Sequence, residues 1–333
     1  MAKKIDITHS RNRFTPNFDA FESRTLPSGA FAGNLARIEQ PNHRTLLVRK
    51  YDGSNSRQIR NIIYLSDAAA QQKLDLYLPS TPAPNSGYPV VMAIHGGGWY
   101  RYSKEQFGPV VEPLTKDGFA VVAVNYQLSL TNVPSWPKAF DDLRQAVGWI
   151  HQKADYYQLN SAKVAAIGTS AGGNLAMMLA TNPGSALTTD PIKKNRSSSV
   201  GQISFNIQAA VSFFGPTDLT SCAKDSRMGA GRAIARYLGG SSSDLPAIYQ
   251  AASPLSYVSK TTAPIMMIHG TDDNIVPVDQ SEKMDQALSK AGVMHQFIEV
   301  SGGTHSLMGK NLSYMGRSYK PEVLSFLKQA MKL

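Results

Sequence analysis

The sequence predicts a three-layer α/β protein, with a mostly parallel central sheet and helices on both faces. Three observations predict it. Short continuous apolar runs recur along the chain at strand length, helical patterns lie between them, and the composition is that of an ordinary globular chain. It has 333 residues, of which 42% are hydrophobic and 17% charged, enough for a sizeable core.

The elements follow in order. Residues 73–79 alternate apolar and polar and stop at Pro79, as a strand does. Residues 89–94 form a continuous apolar run, the mark of a strand buried on both faces, and 119–124 form another. Residues 163–167, 209–214, 264–268 and 296–300 complete the set. The clearest helix is 140–157, with Phe140, Leu143, Ala146, Val147 and Ile150 at three- and four-residue spacing. Residues 171–180, 279–291 and 321–331 are the other helical segments. Strands alternating with helices give parallel pairing. No internal repeat is present.

The sequence divides at residue 60. Residues 1–60 are rich in Asn, Ser, Thr and Arg with little periodicity, and read as an N-terminal extension with short strands such as 45–48. Residues 61–333 carry the α/β domain. Two stretches read as insertions: the polar 182–204, and 217–262 between two core strands, a candidate cap.

The net charge is +10, but 11 basic and 5 acidic residues in 1–60 supply +6 of it. No basic block with interleaved aromatics occurs, so a nucleic-acid partner is not expected. No run approaches the ~18 apolar residues of a membrane span, and no signal peptide is visible. A cytoplasmic location is therefore expected. The single cysteine, Cys222, forms no internal disulfide and lacks a partner motif, so it reads as an inert thiol. No zinc motif and no dinucleotide-binding glycine pattern occurs, so neither metal nor cofactor is expected.

Four loops at strand ends carry chemistry. Gly168-Thr169-Ser170-Ala171-Gly172 follows an apolar strand and opens a helix. That context is a nucleophile elbow, with Ser170 exposed on a sharp turn. The helix start aims free N–H groups at developing negative charge. His95-Gly96-Gly97-Gly98-Trp99 follows the strand 89–94. Its glycines let backbone N–H groups face a ligand, so Gly97, Gly98 and Ala171 are the expected oxyanion donors. His95 reads as a brace for that loop. His269-Gly270-Thr271-Asp272-Asp273 follows 264–268 and offers two adjacent carboxylates. Consecutive side chains diverge, so one of Asp272 and Asp273 orients a base. Gly302-Gly303-Thr304-His305 follows the last strand, and His305 is the expected general base. His9, His43, His151, His269 and His295 read as surface or packing residues. Trp99, Tyr100 and Tyr126 are candidates for the pocket wall, with core packing the equal alternative.

With these residues in hand, the stretch from Asn61 to Leu327 resembles the esterase and lipase branch of the α/β-hydrolases. It is most similar to the bacterial feruloyl- and acetylxylan-esterase-like carboxylesterases, and more distantly to the hormone-sensitive-lipase group. The resemblance is carried by Lys73-Leu74-Asp75-Leu76-Tyr77-Leu78-Pro79, the His95 loop, Val124-Asn125-Tyr126, Asp141-Asp142-Leu143, Gly168 to Asn174, Phe214-Gly215-Pro216-Thr217-Asp218 and the last two loops. It implies the α/β-hydrolase fold, with Ser170, Asp273 and His305 as triad in the chain order of that fold. Family spacing favours Asp273 over Asp272. The implied reaction is hydrolysis of a small-molecule carboxylic ester, short-chain or aryl/acetyl, through an acyl-enzyme. An amidase-type hydrolase, such as an arylformamidase or small peptidase, would use the same triad. A non-catalytic binding module is the reading from another class, and the filled triad positions weigh against it.

Overall fold

The computed structural model describes residues 35–38, 46–50, 56–66, 71–182, 205–225, 229–306 and 312–333. The strands are β1 (Leu35–Ile38), β2 (Leu46–Lys50), β3 (Ser56–Ser66), β4 (Gln71–Pro79), β5 (Tyr88–Ile94), β6 (Ala120–Val124), β7 (Leu159–Thr169), β8 (Ala209–Phe213), β9 (Ile265–Gly270), β10 (His295–Val300), β11 (Ser313–Tyr314) and β12 (Arg317–Ser318). The helices are α1 (Gly108–Lys116), α2 (Lys138–Gln152), α3 (Ala154–Tyr157), α4 (Ala171–Thr181), α5 (Leu219–Asp225), α6 (Ala230–Leu238), α7 (Pro246–Ala251), α8 (Asp279–Ala291) and α9 (Lys320–Met331).

Ten strands form one sheet in the order β1-β2-β3-β4-β6-β5-β7-β8-β9-β10. The run from β6 to β10 is parallel throughout, and β1 to β4 attach to it by antiparallel pairing. The non-sequential order β6-β5-β7 is a crossover between neighbouring strands. A ligand site is expected outside the carboxyl ends of strands at such a reversal. A separate two-stranded ribbon joins β11 to β12.

The period-two alternation of strands divides the core. Val90, Met92 and Ile94 of β5 point into one cluster with α2 and α4, whereas Val91 and Ala93 point into a second with α1 and α9. Each buried aliphatic side chain of this kind contributes roughly 1.5–3 kcal/mol. All eleven residues of α4 are buried, as a helix apolar on every side must be. The helices that cover these two cores are the outer layers the sequence predicts.

The residues before 61 contribute to the sheet. β1 and β2 pair with it, the boundary drawn at residue 60 falls inside β3, and the compact unit bearing the sheet runs from Asn34 to Leu333. The predicted helix 140–157 is two helices, α2 and α3, separated at Lys153. The insertion 217–262 carries α5, α6 and α7. Ile234, Tyr237, Leu238 and Tyr249 from it join the core cluster that holds Trp99 and Tyr126. The other predicted insertion, 182–204, lies outside the described residues after Asn182. Among the described residues no helix is long and apolar enough to cross a membrane.

Candidate active site

Ser170 stands between β7 and α4 with φ 53° and ψ −121°. That left-handed backbone costs a non-glycine residue about 1–3 kcal/mol and survives only where the surroundings enforce it. Here they do. The Ser170 N–H donates to the Phe213 carbonyl at 2.9 Å, and the Ser170 carbonyl accepts from the Asn174 N–H at 3.0 Å. Two glycines make the turn possible. A Cβ on Gly168 would lie 2.1 Å from the Gly172 carbonyl oxygen, and one on Gly172 would lie 2.1 Å from that of Ile94. No side chain fits at either distance. The close approach of strand, helix and β5 thus requires the glycine spacing read from the sequence.

Three loops converge on the serine hydroxyl. Ser170 Oγ lies 2.9 Å from His305 Nε2, and His305 Nδ1 lies 2.7 Å from Asp273 Oδ2. A carboxylate only accepts, so the Nδ1 proton belongs to the Asp273 bond and Nε2 is left to accept from Ser170. Asp273 Oδ1 accepts from the backbone N–H groups of Ile275 and Val276, both at 2.9 Å. Burial alone would push this carboxyl up. Its bonds with His269 and His305 prevail and hold it well below the usual carboxylate range. The adjacent Asp272 is exposed, and its carboxylate accepts from the Thr271 hydroxyl. Geometry therefore brings Asp273, and not Asp272, to the histidine.

His269 is buried beneath the acid loop. Its Nε2–H donates to the Val276 carbonyl at 2.9 Å and passes 3.4 Å from Asp273 Oδ2, while Ser281 Oγ lies 2.8 Å from Nδ1. The Phe214 ring meets His305 edge-on at 4.8 Å and touches Tyr314 at 5.2 Å. Tyr314 donates to the Thr304 carbonyl at 2.7 Å. Sequence reasoning gives neither aromatic a place at the site, because the contacts of Phe214 with His305 and Tyr314 join segments far apart in the chain. The Phe214-Gly215-Pro216-Thr217-Asp218 motif was the one signal at hand.

The glycine loop lies opposite. Gly97 and Gly98 have φ of +99° and +60°, and a Cβ on Gly97 would meet the Arg101 carbonyl oxygen at 2.2 Å. Neighbouring Gly96 approaches Ser170, since a Cβ there would lie 3.4 Å from the serine Cβ. Among the described residues, no protein acceptor takes the backbone N–H of Gly97, Gly98 or Ala171. His95 is buried, stacks on Tyr126 at 4.3 Å, and has Nδ1 2.8 Å from the Gly96 carbonyl. Burial lowers its pKa to about 4. The Tyr126 hydroxyl donates to the His95 carbonyl at 2.9 Å. The pair holds the loop from behind.

Of the three aromatic candidates for the pocket wall, two are enclosed. Trp99 is 3% and Tyr126 2% exposed, and Trp99 stacks on Tyr237 of α6 with ring centroids 4.5 Å apart. Tyr100 alone is part-exposed. Cys222 is fully buried, and burial, with Asp279 and other carboxylates adding to it, pushes its thiol up, so no thiolate forms readily.

Comparison with known proteins places this geometry among relatives. The BD-FAE family model matches residues 74–288. Esterase LipQ of Mycobacterium tuberculosis is 28% identical over 220 residues, covering 66% of this chain and 50% of LipQ. The chain thus spans about half the length of that curated relative. Among solved structures, a truncated carbohydrate esterase from gut microbiota superposes with a TM-score of 0.71 at 25% identity, over 85% of this chain and 99% of that one. A bifunctional GH43-CE protein of Bacteroides eggerthii superposes with a TM-score of 0.70 at 28% identity, over 82% of this chain and 38% of that one. The fold is that of the α/β-hydrolases.

Proposed function

The chain belongs to the BD-FAE family, and from that premise we propose that it is a serine carboxylesterase. The observation that carries the reading is the unbroken relay from Ser170 Oγ through His305 to Asp273, at 2.9 and 2.7 Å. His305 Nε2 takes the serine proton as Oγ attacks the ester carbonyl. Asp273 holds the ring in the one tautomer that allows this and stabilises the imidazolium that follows. Negative charge on the former carbonyl oxygen falls to the N–H groups of Gly97, Gly98 and Ala171. Each such donor is worth about 2.7–4 kcal/mol in acyl transfer. His305 returns its proton to the leaving alcohol, and water then cleaves the acyl-enzyme by the same relay in reverse.

Short-chain or acetyl esters of small molecules, including acetylated sugars, are the substrates we assign. The likeness to a carbohydrate esterase from gut microbiota supports the sugar, and the enclosure of Trp99 and Tyr126 supports the short acyl chain. We propose a cytoplasmic location, with which the single buried, unoxidised cysteine is compatible. Cell fractionation checks that placement. A 4-nitrophenyl ester series from two to sixteen carbons, with acetylated sugars beside it, checks the substrate. A maximum at two to four carbons is expected, and a maximum at long chains contradicts it. A matched amide hydrolysed faster than its ester would turn the reading to an amidase.

A further inference from the structure

The side of the site nearest α6 carries charge that no described residue neutralises. Tyr100 lies against the glycine loop, since a Cβ on Gly98 would sit 2.8 Å from its Cε1 and 3.3 Å from Ala233 Cβ. Two guanidinium groups lie over the same ring. Arg236, one helical turn beyond Ala233, has its Cζ 4.7 Å from the Tyr100 centroid, and Arg101 has its Cζ at 5.2 Å. Arg101 also lies 5.3 Å from the Tyr102 ring.

Cation–π contact holds both cations in place but does not satisfy their N–H groups. Some cations of the protein, such as Lys104, Lys138 and Lys328, meet a carboxylate, and others lie in solvent without one. Among the described residues neither Arg101 nor Arg236 meets one. Arg236 Nε is buried and has no hydrogen-bond acceptor among them. Two like charges share one ring beside the oxyanion loop, an arrangement an anion would complete. Arg236 also borders a groove of about 330 Å³, whose other walls include Thr131, Asn132, Pro134 and Gly239. That volume is at the lower end of the range for small-ligand sites. The planar guanidinium fork suits a carboxylate in particular.

We infer that Arg236, with Arg101, forms a subsite for a carboxylate borne by the ester substrate, away from the scissile bond. The inference rests on the esterase reading. Its test uses two matched pairs. On the alcohol side these are 3-acetoxybenzoate and methyl 3-acetoxybenzoate, and on the acyl side mono-4-nitrophenyl adipate and 4-nitrophenyl hexanoate. The quantity read is kcat/KM for the anionic ester divided by kcat/KM for its neutral partner. That ratio is internal to one preparation, so loss of folded protein leaves it unmoved. In the wild type it is expected to fall as salt rises, because salt screens the attraction. Arg236→Gln is expected to lower the ratio about tenfold on one of the two arms, the weight of a charge-assisted bond. The more exposed Arg101→Gln lowers it about threefold. Arg236→Lys, which keeps the charge without the fork, falls between Gln and wild type. A ratio that Arg236→Gln leaves unchanged on both arms overturns the inference while leaving the esterase reading intact. A folded wild type that hydrolyses none of the four esters overturns the esterase reading first, and the subsite with it.

Discussion

The two sides of the candidate site are built on opposite plans. On the triad side, both Asp273 oxygens and both His305 nitrogens have protein partners. On the glycine-loop side, the N–H groups of Gly97, Gly98 and Ala171 are given to no described protein acceptor, and two arginines meet no described carboxylate. The first side is closed because its task is to fix one tautomer and one proton path. The second is open because its partner, on the proposed reading, is the substrate. Closed networks are intolerant of single changes and open ones are tuned by them, and substitutions can break or sharpen that contrast.

The largest expected effect separates the two adjacent aspartates. Asp273→Asn removes the carboxylate that fixes His305, and is expected to lower kcat about 10³–10⁴-fold. Asp272→Asn changes an exposed side chain and leaves kcat within about twofold. Steady-state rates on 4-nitrophenyl acetate check both. Equal losses in the two variants would break the assignment.

Next comes the steric demand at the elbow. Gly172→Ala places a methyl group 2.1 Å from the Ile94 carbonyl oxygen. It should destabilise the fold by about 2–4 kcal/mol or prevent folding, since backbone must move. Gly118→Ala is the control, with φ +89° and open space around the new methyl. It should cost only about 1 kcal/mol. Chemical denaturation of the two variants measures the difference, and equal costs would remove the packing argument for the elbow.

The smallest effect is a pH dependence on the glycine-loop side. His95 has a folded pKa of about 4 against 6.5 in the open chain, so the unfolded state binds the proton more readily between those values. Its contribution is therefore full above about pH 6.5 and is lost as pH falls toward 4, a loss of about 3 kcal/mol at most. Asp273 acts in the same direction at lower pH. Its depressed folded value makes its contribution full above the open-chain value near 4 and lost below it. His95→Gln should flatten the fall in denaturation free energy between pH 6.5 and 4 and leave the slope below 4 in place. An unchanged slope in the upper window would show that another group governs it.

How much of this was readable beforehand follows physical lines. The buried parallel strands were legible as continuous apolar runs, and α8 was expected at 279–291, where it lies. Helix α1 was not, because Pro109 and Pro113 break its pattern. Strand β3 was hidden by register shifts between Ile59 and Ile62 and between Ile63 and Leu65, which spoil the two-residue alternation. The short strand expected at 45–48 is β2, which lies at Leu46–Lys50, whereas β1 carries too few residues for a period to emerge. At the site, Ser170 and His305 were legible from local motifs. Adjacent Asp272 and Asp273 could not be told apart by residue type, since only the turn decides which faces His305. Arg236 gave no local signal, because its significance lies in a contact with Tyr100, more than a hundred residues away.

The central claim is that Ser170 is a nucleophile activated by His305. It is tested most directly by incubating the folded protein with a fluorophosphonate and locating the adduct by peptide mass spectrometry. The account predicts a single adduct on Ser170 in the wild type, labelling slowed by orders of magnitude in His305→Ala, and none in Ser170→Ala. A folded wild-type protein that stays unlabelled, or that carries the adduct on another residue, would contradict it.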